Sequence, residues 1–554
     1  MKQIKSRVNL WPVLAAAGVT IIMVAAVCWS LHHPYGASWD EAEYLNEAQI
    51  DAQRLQHGML LRLGGRILIK SLGRPPAYRV LALPVLGLFG FHTIAVRLVS
   101  LACFALSSLF VYLATRRIGN SVAGGFATLI FCLCPIVVSA SMWFSTEGPL
   151  YLATSAMLYY IFRCWTGKLQ DWTTWAGLGS AIGLGFLAKA SFISIVLPVL
   201  ALWLVAGYRR ELGIPNLVSQ WKAGFLALLL AAPWWVLNIK PAIAMTQQAR
   251  GFVANSLGPP SLVTWLRWLS TVGQSLLGYG LSILIALVVI ASLRKAMARK
   301  KARLDPLQKL ALGACACAGL PIVLAQLTGT NHLLRHISPA VIPLAIAVGL
   351  LADWSGWVRA SLSVAISGVL FCGQLAMIVV PVLYPNDHPV DSGMVNGYYP
   401  WRIMARVDQW DWAPLEKISR SCGLEAPRIS YLGGNRAFDP PQMERPFAAA
   451  EASTSLATFP YPDVKWLWRY EQGPINWQTV MASAEGSDIV IAAPHLFGES
   501  IDALNNQHNS EFADRLSRDP HFREPIRLEM GRFEPVQVLV FVKQSLVCHF
   551  PAGP

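Results

Sequence analysis

Charge is scarce in this chain. Only 14% of its 554 residues are charged, against about 25% in a soluble globular protein. Convincing GxGxxG, P-loop, HExxH and GxSxG sequences are also missing, which leaves hydride, ATP and zinc-protease chemistry without support. No internal repeat or low-complexity tract is evident. Past Tyr384 no apolar run is long enough to cross a bilayer. Cysteine is sparse in the polar part, where only Cys422 and Cys548 occur; they pair if that part is exported, and two unpaired thiols fit equally well. The pairs Cys132/Cys134 and Cys315/Cys317 sit two residues apart, which on a helix turns them away from each other and makes them poor metal sites.

What is abundant is apolar sequence, 54% of residues, delivered in blocks of membrane-spanning length. The first, Leu10–Leu31, follows a basic start but is too long for a signal-peptide core and lacks a small-residue cleavage site, so it reads as a retained anchor. Spans are expected at 10–31, 94–115, 121–140, 148–164, 173–188, 191–207, 221–236, 272–293, 309–327, 336–351 and 358–383. The net charge of +14 sits largely between these blocks and concentrates in alternate loops, above all in 294–303. That pattern orients helices against a membrane and argues against nucleic acid as a partner. It places the N-terminus inside, and eleven spans then put residues 384–554 outside. Residues 80–91 are apolar but too short to span, and read as an embedded or interfacial segment. The expected fold is thus a polytopic α-helical membrane protein of about eleven spans, residues 1–383, followed by a soluble α/β domain, 384–554. Strands are expected at 428–432, 488–492 and 536–542, and a helix within 499–518.

Chemistry concentrates in the first outer loop, 32–93. Ser38-Trp39-Asp40-Glu41 has capping-box spacing, so a helix starts here, with Glu41 as the return partner of the cap. Asp40, Glu43, Glu47 and Asp51 follow at intervals that line one helical face. For the last three, a solvated acidic face is the expected reading. In Gly73-Arg74-Pro75-Pro76 the two prolines hold the arginine in a stiff extended turn. There it meets either a phosphate, bidentately, or a lipid headgroup. Glu147 and Lys189 lie at span edges, where ionisable groups are costly and usually functional, although a lysine also snorkels there. Arg335 and His336 enter another span edge; a lone histidine is more often structural.

With these residues in place the chain resembles the GT-C glycosyltransferases that use lipid-phosphate sugars, especially protein O-mannosyltransferases and the transferases that add aminoarabinose to lipid A. The resemblance covers about residues 10–350. It rests on Asp40-Glu41 with Tyr44, on Arg74-Pro75-Pro76, on Glu147-Gly148-Pro149-Leu150 and on the Gly-Leu-Gly-Phe-Leu-Ala-Lys stretch ending at Lys189. Pro233-Trp234-Trp235 and Leu334-Arg335-His336 with Pro339 and Pro343 fit as well. It implies that Asp40 deprotonates an acceptor hydroxyl, with Glu147 as second acidic residue, and that a hexosyl or pentosyl group leaves polyprenyl phosphate in one inverting displacement. Basic residues hold the departing phosphate, and Glu41, Tyr44, Arg74, Lys189, Arg335 and His336 contact substrate. The acceptor is an envelope glycan, lipid or protein. Lipid A transferases show Glu-Lys-Pro-Pro where this chain has Gly73-Arg74-Pro75-Pro76, and the missing glutamate argues against a divalent metal and against lipid A as acceptor. The competing class is a transporter or lipid flippase, which should show duplicated halves with helices broken at matching positions; none are seen.

Overall fold

The computed structural model describes residues 10–549 except 37–38, 70–72, 168–170, 209–216, 251–257, 299–303, 330, 384–408, 435–436, 451–461, 469–473, 497–506 and 532–534. Its first part is entirely helical: α1 (Leu10–Leu31), α2 (Trp39–Gln56), α3 (Leu60–Ile69), α4 (Ala77–Phe89), α5 (Thr93–Ile118), α6 (Ser121–Cys132), α7 (Pro135–Met142), α8 (Glu147–Trp165), α9 (Trp172–Ala188), α10 (Ile193–Tyr208), α11 (Leu217–Arg250), α12 (Leu262–Thr271), α13 (Gly278–Ala298), α14 (Pro306–Thr328), α15 (Val341–Ser355) and α16 (Ser361–Leu383). Each apolar block expected to span falls on one or more of these helices. Among the described residues seven helices are long and apolar enough to cross a membrane, or eight if the bent pair α6–α7 is one span. The 64° bend of that pair lies where Pro135 removes a backbone donor and restricts the residue before it.

Helix α11 runs beyond its expected 221–236 and carries Pro233 and Pro241 inside it. Exposed apolar side chains along it (Trp221, Phe225, Leu228, Leu229, Val236) form the kind of face that suits lipid rather than water. The 80–91 segment is the short helix α4, interrupted by Pro84. The capping serine, Ser38, lies outside the described residues.

The second part adds α17 (Ala413–Ser421), α18 (Pro440–Ala450), α19 (Trp477–Glu485) and α20 (Asn509–Ser517) around a five-stranded sheet. Its strands are β1 (Arg428–Tyr431), β2 (Asp463–Trp466), β3 (Ile489–Ala492), β4 (Ile526–Met530) and β5 (Val536–Val542), in the order β2-β1-β3-β5-β4. The first three are parallel; β5 runs antiparallel to both β3 and β4. Strand β3 is buried throughout, Ile-Val-Ile-Ala, as expected of a central strand covered on both faces. The expected strands 428–432, 488–492 and 536–542 are present, whereas β2 and β4 are additions. Within 499–518 the helix is α20; 497–506 lie outside the described residues. Cys422 and Cys548 form a disulfide that ties α17 to the chain following β5.

This part seats on the first loop through α18, which packs along α2. Asn46 Nδ2 donates to Pro441 O at 2.8 Å, Gln442 Nε2 to Gly36 O at 2.8 Å, and Arg445 Nη2 to Pro34 O at 3.0 Å.

Candidate active site

Five junctions between helices supply the site. Asp40 stands in the first turn of α2, and Arg74 in the loop before α4. Glu147 opens α8, where a carboxylate is favoured by the helix dipole. Lys189 caps the C-terminal end of α9, the end that favours a cation. Arg335 and His336 occupy a single 3₁₀ turn, Leu334–His336, between α14 and α15. Gly73 sets the approach of Arg74: its φ is +81°, and a Cβ there would lie 2.6 Å from the Pro241 carbonyl oxygen of α11. Only glycine fits such a position without strain.

These junctions converge. Arg335 is ion-paired with Asp40, and Arg74 reaches the same carboxylate at 3.9 Å while pairing with Glu43 at 2.5 Å. The Arg74 guanidinium lies over the Tyr44 ring, 5.4 Å from its centroid, a cation–π contact that holds it in place. Beside this group Lys189 Nζ donates to Glu147 Oε1 at 2.7 Å. Arg335 and His336 also act electrostatically on Glu147. Asp40, Arg74, Arg335 and Lys189 keep about a fifth of their side-chain surface open, whereas Glu147 is 3% exposed. The group is therefore a partly open crevice with three carboxylates matched by three cations.

Electrostatics tune the group. Burial pushes the Asp40 carboxyl up, but Arg335 and then Arg74 outweigh it and hold the group below the usual carboxylate range. Burial also dominates at Glu43, where it raises the carboxyl in spite of Arg74. His336 Nε2 lies 3.4 Å from Asn331 Nδ2.

Two expectations need correction. The acidic stripe of α2 is not solvated. Asp51 is fully buried and takes both Arg79 Nε and Nη2 at 2.7 Å, with Arg66 at 3.0 Å; Glu47 accepts from the Tyr78 hydroxyl. The stripe is one face, but α3, α4 and the loop before α4 cover it with arginines and a tyrosine. Glu41 does not join the substrate-facing group either. It is 1% exposed, held bidentately by Arg97 at 2.8 and 2.9 Å, and accepts from Phe144 N at 3.0 Å. Its lone pairs are directed into the bundle, where it anchors α2 to α5. Arg79 and Arg97 were not singled out from sequence, although Arg97 announces itself as a charge inside an apolar block.

A divalent ion has little to bind at the crevice, because the carboxylates it would need are already matched by the guanidinium groups of Arg74 and Arg335 and the ammonium of Lys189. Among the described residues the three-ligand cluster is elsewhere, at Glu485, Asp519 and His521, whose ligand atoms lie within 4.8 Å of one another.

Residues 73–237 match the family model described as dolichyl-phosphate-mannose-protein mannosyltransferase. Over 154 residues the chain is 30% identical to an undecaprenyl phosphate-alpha-4-amino-4-deoxy-L-arabinose arabinosyl transferase of Pseudomonas fluorescens, a stretch covering 27% of this chain and 26% of that protein. A transferase of the same description from Sodalis glossinidius is 29% identical over 150 residues, covering 26% of each. The matched stretch thus spans about a quarter of the length of these relatives. In structure the chain is similar to ArnT from Cupriavidus metallidurans bound to undecaprenyl phosphate, with a TM-score of 0.54, 13% identity and coverage of 96% of this chain and 98% of that one. It is also similar to the arabinofuranosyltransferase AftD from Mycobacteria, with a TM-score of 0.53 and 14% identity over 96% of this chain and 40% of that one. At such identity it is the fold that is shared. The chain thus shares the fold of these solved glycosyltransferases.

Proposed function

We propose that this protein is a glycosyltransferase that moves a sugar from a polyprenyl-phosphate carrier to a hydroxyl of an envelope glycan, lipid or protein, at the outer face of a bacterial cytoplasmic membrane. The observation that carries the reading is the Asp40 carboxylate held between Arg335 and Arg74 in a partly open crevice at the ends of membrane-type helices. A base and two phosphate-binding cations stand there within reach of a lipid-borne donor.

The chemistry follows from that arrangement. The donor phosphate takes hydrogen bonds from Arg74 and Arg335, which draws their charge away from Asp40 and restores its basicity. The acceptor oxygen attacks the anomeric carbon as its proton passes to Asp40, and the bond from that carbon to the phosphate oxygen breaks. Charge grows on the leaving phosphate where the guanidinium groups are already fixed, so little reorganisation is needed. Glu147 pairs with Lys189 and attracts Arg335 electrostatically, and Lys189 lends a further cation.

We infer a periplasmic sheet-containing domain from the expected topology, in which the N-terminus lies inside, about eleven spans follow and the boundary falls at residue 384. The Cys422–Cys548 disulfide supports that side, since such bonds persist in oxidising compartments. The test is transfer by purified protein from undecaprenyl-phosphate sugars to envelope extracts, read by mass spectrometry. No transfer from any polyprenyl-phosphate sugar, with the protein monodisperse, would reject the reading.

A further inference from the structure

Asp439 opens α18 and is 2% exposed. Its Oδ1 accepts the Gln442 backbone N–H at 3.0 Å, while Oδ2 is buried with no partner among the described residues. A buried oxygen left in that state is costly and calls for an explanation. The charges that act most on this carboxyl are negative: Glu444 on its own helix, and Asp40 and Glu43 across on α2. Its place is fixed by the bonds from Asn46 and Gln442 that seat α18 on α2. Burial, then the charge of Glu444, keeps the carboxyl neutral well above the usual range. A neutral carboxyl offers one O–H donor as well as acceptor lone pairs.

The charges of the crevice already cancel, so an additional cation is not required to balance them. A sugar hydroxyl, which both accepts and donates, matches a neutral carboxyl oxygen. The sugar is also the part of the donor that must lie between the phosphate, held by Arg74 and Arg335, and the acceptor, held by Asp40. We propose that Asp439 is a substrate-positioning residue whose Oδ2 hydrogen-bonds a hydroxyl of the carrier-bound sugar, so that the C-terminal domain completes the sugar site. The proposal rests on the polyprenyl-phosphate reading given above.

The experiment measures lipid binding to the full-length protein in nanodiscs by native mass spectrometry. The probes are undecaprenyl phosphate, undecaprenyl-phosphate mannose and undecaprenyl-phosphate 4-amino-4-deoxy-L-arabinose. Asp439→Ala should weaken the preferred sugar-bearing lipid about tenfold, the worth of one hydrogen bond, and leave undecaprenyl phosphate unchanged. Asp439→Asn, which keeps both the cap on α18 and a donor, should restore most of the loss. An equal effect of Asp439→Ala on all lipids, or none, overturns the proposal, the first by showing only loosened docking of α18. A loss that Asn fails to restore, confined to the amino sugar, overturns the hydroxyl assignment in favour of an ammonium. A wild-type protein that binds none of the lipids rejects the donor reading and this proposal with it.

Discussion

The Arg335 guanidinium is paired with the Asp40 carboxylate, joining the turn before α15 to the first turn of α2. That contact makes Asp40 the proposed base and also restrains it. Asp40→Asn should lower transfer by ~10²–10⁴-fold, the range of a positioned base, with elution on size exclusion unchanged. Glu147→Gln should fall less, because Glu147 is tied to Lys189 and acts on Arg335 only electrostatically. If Asp40→Asn transfers normally while Glu147→Gln is dead, the two roles are exchanged.

The same contact predicts a pH signature. Asp40 is held below the usual carboxylate range, so its ionised form persists to low pH. The stability it lends is complete above the unfolded carboxyl value of about 4 and is lost only as pH falls through the lower folded value. Arg335→Gln removes the cation that depresses it most. The acidic limb of kcat/KM should then move to higher pH, because Asp40 takes up its proton earlier. A limb that stays in place in this variant would dissociate Asp40 from the pH profile.

Arg74 should separate from other arginines of the same loop. Arg74→Ala should raise KM for the donor and lower kcat, while Arg62→Ala, on an exposed part of α3, should do little. Arg74→Lys should recover only part, since a point charge lacks the fork that grips two phosphate oxygens. Donor kinetics of the three variants decide it, and equal mild effects would leave Arg74 as a headgroup contact.

Arg97 should matter for folding and little for chemistry. Removing it takes the bidentate cation away from the buried Glu41, and breaking a buried ion pair costs about 3–5 kcal/mol. Arg97→Ala should therefore lower the melting temperature in detergent and the amount recovered from membranes. The protein that remains folded should show an unaltered KM.

Topology is open to a direct check. A reporter fused after Pro385 should be active only if it requires export. Cytoplasmic activity at that position would put Asp40 on the wrong side for a periplasmic acceptor.

Much of this was legible in the sequence because membranes penalise mistakes heavily. Runs of apolar residues located the helices, and ionisable residues at their ends (Asp40, Glu147, Lys189, Arg335) were notable because burial there is expensive. Helical spacing also grouped Asp40, Glu43, Glu47 and Asp51 correctly on one face. It could not say what covers that face. The partners Arg66, Arg79 and Tyr78 come from other helices, and spacing along one helix carries no information about its neighbours. Glu41, one residue from Asp40, points to Arg97 for the same reason. In the C-terminal domain the apolar strands β1, β3 and β5 stood out. The edge strand β2 has only four residues, Asp-Val-Lys-Trp, and β4 shows a polar–apolar alternation that was available but short. Asp439 belongs to no motif, and its significance arises only when α18 settles on α2.

The close approach of Gly73 to Pro241 closes off a route back. Where the lipid A transferases carry a glutamate, this chain has a glycine whose backbone is left-handed and whose missing side chain is the space taken by α11. Restoring the acid by Gly73→Glu would push against the backbone of a helix rather than add a ligand. The difference from the Glu-Lys-Pro-Pro pattern is thus written into the packing of two helices. Conversion of this protein into a relative of that kind would need α11 to be rebuilt first.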